Sequence, residues 1–167
     1  MLVYPLENIN NFDVLANEVQ TLIEEVGLNN NQIICQQLTP NSVDWTTGIG
    51  RIAELDHKDE HLYKFVNENL KGSKLEELIL KYDAFRTRVM IMPPKQCYSV
   101  HSDPTPRIHI PIITNSQSWM VWPYLKVCEQ MRPGKVYWAD TTKHHSFFNG
   151  GDTARIHIVM GIENSDV

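Results

Sequence analysis

Residues 86–113 read RTRVMIMPPKQCYSVHSDPTPRIHIPII, and residues 135–162 read KVYWADTTKHHSFFNGGDTARIHIVMGI. Both stretches are short runs of β-branched and aromatic residues. They are cut by Pro93-Pro94, Asp103-Pro104 and Asn149-Gly150-Gly151-Asp152. Such runs between turn residues predict strands, here over 86–92, 96–101, 107–113, 119–122, 135–138, 145–148 and 155–162. Strands this short and this evenly spaced point to a sandwich or barrel. The Asn-Gly-Gly-Asp turn predicts that 145–148 and 155–162 form a hairpin.

The first half reads differently. Phe12, Leu15, Val19, Leu22, Ile23 and Val26 lie on one helical face, with Gly27 placed to end the helix and Asn10 or Asn11 to cap it. Residues 60–70 and 73–82 predict two further helices, the second opened by a Ser73/Glu76 capping box. A short strand is expected at 32–38 and a loop at 40–50. The fold class is therefore α+β, mainly β, with the N-terminal helices packed outside the strands. The 167 residues make one domain: 1–85 a mainly helical support and 86–162 the β core.

Composition narrows the function classes. Fifteen Lys+Arg against 20 Asp+Glu give a net charge of -5, with no basic block, so no nucleic-acid partner is expected. No apolar run approaches the ~18–20 residues of a membrane span. The start has no basic n-region and reads as mature protein. Cys35, Cys97 and Cys128 form no CxxC pair, which suggests free thiols and a cytoplasmic location.

Of the seven His, His57 and His61 sit in a charged stretch and read as solvated. His144 points away from the face of His145. His101 and Asp103, two apart on an extended chain, share one face. Taken alone, that pair also fits a surface turn. With His145 as a third ligand, it makes the two-His-one-carboxylate set that binds a first-row divalent metal and leaves positions open. Arg-Ile-His-Ile occurs at both 107–110 and 155–158. In each copy Arg and His share one face and the two Ile the other. Buried Arg needs an anion, and Arg grips a carboxylate in two-point fashion. Trp119, Trp122 and Trp138 read as core or rim aromatics, and Met90, Met92 and Met120 as core fillers.

From 86 to 162 the chain resembles the aspartyl/asparaginyl β-hydroxylase family of Fe(II)- and 2-oxoglutarate-dependent dioxygenases. The resemblance implies a double-stranded β-helix, or jelly-roll. It implies Fe(II) on His101, Asp103 and His145, with 2-oxoglutarate and O2 as co-substrates. Arg155 falls on the arginine that holds the far carboxylate of 2-oxoglutarate. Arg107 and His109 fall on a second Arg-x-His that helps hold the near one. Asp140 and Asn149 fall on polar positions, Asn149 serving equally well as a plain turn residue. The family's serine contact to the co-substrate falls near Met90, which cannot make it; Arg88 or Tyr98 would have to substitute. The implied reaction is hydroxylation of an amino acid, peptidyl side chain or small metabolite, with release of succinate and CO2. Two other readings remain open: a jelly-roll metalloenzyme of another class, such as an isomerase or hydrolase, and a non-catalytic binder of an acidic ligand. The helical half and the 40–50 loop are expected to shape the pocket mouth.

Overall fold

The computed structural model describes residues 1–27, 31–50 and 57–163, with side chains from residue 60 in the last stretch. A six-stranded antiparallel sheet contains β1 (Val3–Asn8), β2 (Gln32–Ile34), β5 (Phe85–Met92), β7 (Arg107–Ile113), β10 (Lys135–Ala139) and β12 (Arg155–Gly161). Its order is β1-β10-β7-β12-β5-β2. A four-stranded sheet contains β6 (Gln96–Cys97), β8 (Ser118–Trp122), β9 (Val127–Glu129) and β11 (Ser146–Asn149), in the order β6-β11-β8-β9. A small pair, β3 (Gln36–Gln37) with β4 (Phe65–Val66), stands apart. The two larger sheets make the expected jelly-roll.

Strand alternation divides the large sheet into two chemically different faces. Val89, Ile91, Ile108, Ile110, Ile112, Ile156, Ile158 and Met160 are buried in one apolar cluster. Into that cluster α1 (Phe12–Val26) presses Leu15, Val19 and Leu22, and α2 (Lys74–Lys81) presses Leu75, Leu78 and Ile79. The helices therefore cover the outer face, as the periodicity predicts. Truncating Leu15 or Ile79, both at most 1% exposed, to Ala costs roughly 2–5 kcal/mol. The alternate residues, including Arg88, Met90, Arg107, His109 and Arg155, face the four-stranded sheet and line a cavity. A second cluster of Met92, Met120, Trp122, Met131, Tyr137, Ala139 and Phe147 fills the rest.

The helix ends differ in detail from expectation. Asn11 sits at a left-handed φ of 56° and makes no side-chain cap, so neither Asn10 nor Asn11 caps α1. Gly27 does end it, donating its N–H to Ile23 O. Ser73 caps α2 through Glu76 N, whereas Glu76 reaches back to Gly72 N rather than to Ser73. The carboxylate of Glu18 on α1 also accepts from Lys74 N and Leu75 N, at 2.8 and 3.1 Å. An acid at a helix N-terminus stabilises it, and this one also locks the two helices together.

Four further sequence expectations are corrected. The helix expected over 60–70 is a 3-10 turn (His57–Leu62), β4, and a second 3-10 turn (Glu68–Leu70). Neighbouring strands capture its backbone: Asn67 N donates to Cys35 O, and Arg86 N donates to Tyr63 O. The strand expected over 96–101 is regular only at β6, and the 32–38 strand breaks into β2 and β3. The hairpin between 145–148 and 155–162 does not form. β11 pairs with β6 and β8, whereas β12 pairs with β5 and β7 in the other sheet. Asn149 makes that corner. Its Oδ1 accepts from Asn115, Ser118 and Gly151, and its Nδ2 donates to the carbonyls of Met92, Pro93 and Thr153. The amide fills the donor and acceptor roles that a hairpin partner would have filled. β1 and β9 were not anticipated. The 40–50 segment is a loop, held by the Asp44 carboxylate accepting from Thr46 N and Thr47 N.

Candidate metal centre

His101 and His145 face each other across an isolated antiparallel bridge between the two connecting loops. Their backbones exchange hydrogen bonds of 3.0 and 2.8 Å. Each imidazole Nδ1 also lies against a carbonyl two residues earlier: Ser99 O at 2.7 Å and Lys143 O at 3.0 Å. A carbonyl only accepts, so each Nδ1 donates, and in the neutral ring each Nε2 carries a lone pair. Asp103 is placed by its own N–H on Thr141 O, and its Oδ2 lies 3.8 Å from His145 Nε2. One ligand atom from each of the three lies within 4.8 Å of the others, so the trio could hold a metal ion. Burial pushes the His145 ring toward its neutral form, with His101 and Arg107 adding to the effect. Burial would raise the Asp103 carboxyl, but Arg107 above all, with His145, Arg88 and His101, holds it below the usual carboxylate range. Both states suit ligation.

Arg107 is the strut behind Asp103. Its Nε donates to Asp103 Oδ2 at 3.3 Å. Its Nη atoms close on both oxygens of Glu60 at 3.1 and 2.8 Å, and Nη1 also reaches Thr105 Oγ1 at 2.9 Å. The guanidinium thus has no free donor pair to offer a bound co-substrate. The resemblance assigned it to the near carboxylate, but the structure places it on protein carboxylates. Glu60 is fully buried and was read in the sequence only as the start of a helix. The signal for it is indirect: Arg86 and Arg107, once buried, require an acid.

The metal-side residues open onto a cavity of about 540 Å³ between the sheets. Arg155 lies in it, 1% exposed, with its guanidinium carbon 3.5 Å over the Phe147 ring. Its Nη2 contacts His157 Nδ1 at 2.6 Å, and its Nε has no hydrogen-bond partner. Burial pulls the group down to about 9, and among the described residues only the Tyr98 phenol counteracts it. This is a buried cation without a carboxylate. His109 also lines the cavity, with neither ring nitrogen bonded, and burial together with Arg155 and His145 keeps it neutral. His157 is likewise neutral through burial, next to Arg155 and edge-on to Phe147.

Other candidates fall elsewhere. His61 is half-buried and stacks on Phe85 at 4.4 Å instead of being solvated; the His57 side chain lies outside the described residues. His144 is exposed and packs against Tyr124. Asp140 caps its own turn through Thr142, and Asn149 holds its corner, so neither orients a metal-side group. Met90 and Met120 line the cavity rather than filling core alone, and no Trp lines it. Among the described residues of the first half, Gln32, Gly50 and Glu60 line it; α1 and α2 do not reach it.

The comparisons agree with this geometry. The family model "Aspartyl/Asparaginyl beta-hydroxylase" matches residues 10–165. No curated protein sequence matches the chain. The fold is similar to that of a viral collagen prolyl hydroxylase, vCPH from Paramecium Bursaria Chlorella virus-1, solved as a 2OG complex. That match has a TM-score of 0.52, 14% identity and 97% of each chain covered. AviO1 from Streptomyces viridochromogenes Tue57 matches at 0.52 with 11% identity, over 99% of this chain and 92% of that one. SnoK, a non-heme α-ketoglutarate dependent carbocyclase from nogalamycin biosynthesis, matches at 0.50 with 14% identity, over 95% and 78%. At these identities the likeness is one of fold. The family match over most of the chain, on a jelly-roll that brings His101, Asp103 and His145 together, shows that this enzyme belongs to the aspartyl/asparaginyl β-hydroxylase family.

Proposed function

We propose that the protein is an Fe(II)- and 2-oxoglutarate-dependent dioxygenase that hydroxylates an amino acid, a peptidyl side chain or a small metabolite. One observation carries the reading. Two Nε2 lone pairs and one carboxylate converge at one end of a cavity that also holds Arg155, a buried cation with no acid beside it among the described residues. The donor set of two nitrogens and one oxygen fits a first-row divalent metal and leaves positions free for other ligands. When bound, iron(II) and 2-oxoglutarate supply the oxidative chemistry, consuming O2 and releasing succinate and CO2 as a C–H bond becomes C–OH.

The chain's own residues bind and orient. His101, Asp103 and His145 hold the metal, with each imidazole fixed by a carbonyl behind it. Arg155 takes the far carboxylate of the co-substrate, with Phe147 and His157 fixing its plane. Arg107 acts through Asp103, holding the carboxylate in place while Glu60 balances its charge. His109, with both ring nitrogens unpaired toward the cavity, donates to the near carboxylate. The apolar walls of Met90, Met120 and Phe147 limit water around the reacting groups.

The test is anaerobic. Adding Fe(II) and then 2-oxoglutarate should give a weak visible charge-transfer band, absent in His145→Ala. Succinate should form once O2 is admitted. Iron uptake with no such band would move the protein to another class of metalloenzyme. Failure to take up metal would leave only a binder of acidic ligands.

A further inference from the structure

Among the described residues four arginines line the cavity, and three are accounted for. Arg107 holds Glu60 and Asp103. Arg86 donates to the carbonyls of Gly48 and Gly50 and lies 3.7 Å from Glu60. Arg155 awaits the co-substrate. Arg88 remains. It is 8% exposed, and its Nε has no partner. Among the described residues its one hydrogen bond is a long 3.3 Å contact from Nη1 to the neutral Gln32 Oε1. That oxygen is shared with Gly50 N at 3.1 Å.

Charge counting says that this cation is not meant for 2-oxoglutarate. Among its described lining residues the cavity holds four guanidiniums against two carboxylates, Glu60 and Asp103. A divalent metal and a dicarboxylate cancel each other, so loading the site leaves that excess in place. A buried cation without an anion is costly.

Position agrees. On β12, Val159 faces Arg88 of β5 on one side and His109 of β7 on the other. Arg155 stands four residues back along β12, roughly 13 Å of extended chain. Arg107, which holds Asp103, pairs with Gly161, only two residues beyond Val159. Arg88 therefore lies toward the metal end of the cavity, away from the Arg155 end.

Resting on the oxygenase reading, we infer that Arg88 binds a carboxylate of the substrate, so that the substrate class is a small carboxylic acid or a chain ending in one. The carboxylate is the recognised group. Among the described lining residues both acids are already engaged, and none is free to receive an ammonium. The fork geometry of the guanidinium selects a planar two-oxygen anion over its amide.

The experiment uses protein loaded with Mn(II) and saturated with 2-oxoglutarate. It is titrated calorimetrically with L-amino acids, their N-acetyl forms, short peptides, and the C-terminal carboxamide of each. At least one acid should bind ten-fold or more tightly than its carboxamide, and N-acetylation should not abolish binding. Arg88→Gln should erase the acid-over-amide preference while shifting 2-oxoglutarate affinity less than three-fold. Arg88→Lys keeps the charge but not the fork; it should retain a reduced preference, and it serves if the Gln variant fails to fold. Equal binding of acids and amides, no binding by any acid, or loss of 2-oxoglutarate binding in Arg88→Gln would overturn the assignment. If the loaded wild type takes up no 2-oxoglutarate at all, the oxygenase reading fails first and this one with it.

Discussion

Glu60 closes on Arg107 through both carboxylate oxygens, at 3.1 and 2.8 Å, with neither residue more than 2% exposed. The same guanidinium leans on Asp103 at 3.3 Å, so an acid from the first half of the chain steadies a metal-side acid in the second. Arg107 is raised on balance: burial lowers it, and Asp103 and Glu60 more than compensate.

Breaking that pair should cost more than the pair itself contributes, because a buried charge is left alone. Glu60→Gln is expected to lose about 3–5 kcal/mol of stability by urea unfolding. It should also weaken Mn(II) binding, since the Arg107 strut behind Asp103 loses its anchor. Unchanged stability would mean that Arg107 finds another anion.

Gly161 makes room for this arrangement. A Cβ there would meet the Phe85 ring at 2.4 Å and Arg107 Nη1 at 2.8 Å. Gly161→Ala should therefore destabilise by about 1–3 kcal/mol through overpacking. Metal affinity should fall with it, whereas a Gly27→Ala control, with nothing within 4 Å, should leave metal affinity intact.

Acid should destabilise the fold through His157. Burial, with Arg155 and His109, keeps its folded-state value well below 6.5, so the folded ring stays neutral while the unfolded one takes a proton. Stability is then full above about 6.5 and declines as pH falls below it, by about 1.4 kcal/mol per unit for this group. Urea midpoints at pH 7.5 and 5.5 measure the loss, and His157→Gln should reduce it. An equal loss in both proteins would remove His157 as a cause.

The thiols should divide into two kinds. Cys97 and Cys128 are exposed, whereas Cys35 is buried and its thiol is pushed up to about 12 by that burial. At pH 8 an aromatic disulfide reagent should label two thiols promptly and the third only on unfolding. Prompt labelling of all three would show that the β2–β3 region opens readily.

The His101–Asp103 pair, the paired Arg-x-His strands and the outer helices can be read from residue order, whereas His145 joins the pair through the family resemblance. Their signals are local: spacing on a strand, a helical apolar face, a turn between runs. Glu60 and Arg88 could not be read that way. Glu60 matters because Arg107, 47 residues away, becomes buried beside it. Arg88 and Arg86, two residues earlier, are set apart by which groups the fold leaves next to each.

The sequence by itself determined the alternation that sends Ile108, Ile110, Ile156 and Ile158 to the helices and Arg107, His109, Arg155 and His157 to the inner face. That follows from a period of two, which no packing can change. Only the tertiary structure decided that β11 and β12 part at Asn149 into separate sheets. Only it decided which of four inward arginines received a carboxylate. Those outcomes depend on strand pairing and burial across tens of residues, where the partner, not the residue type, sets the energy.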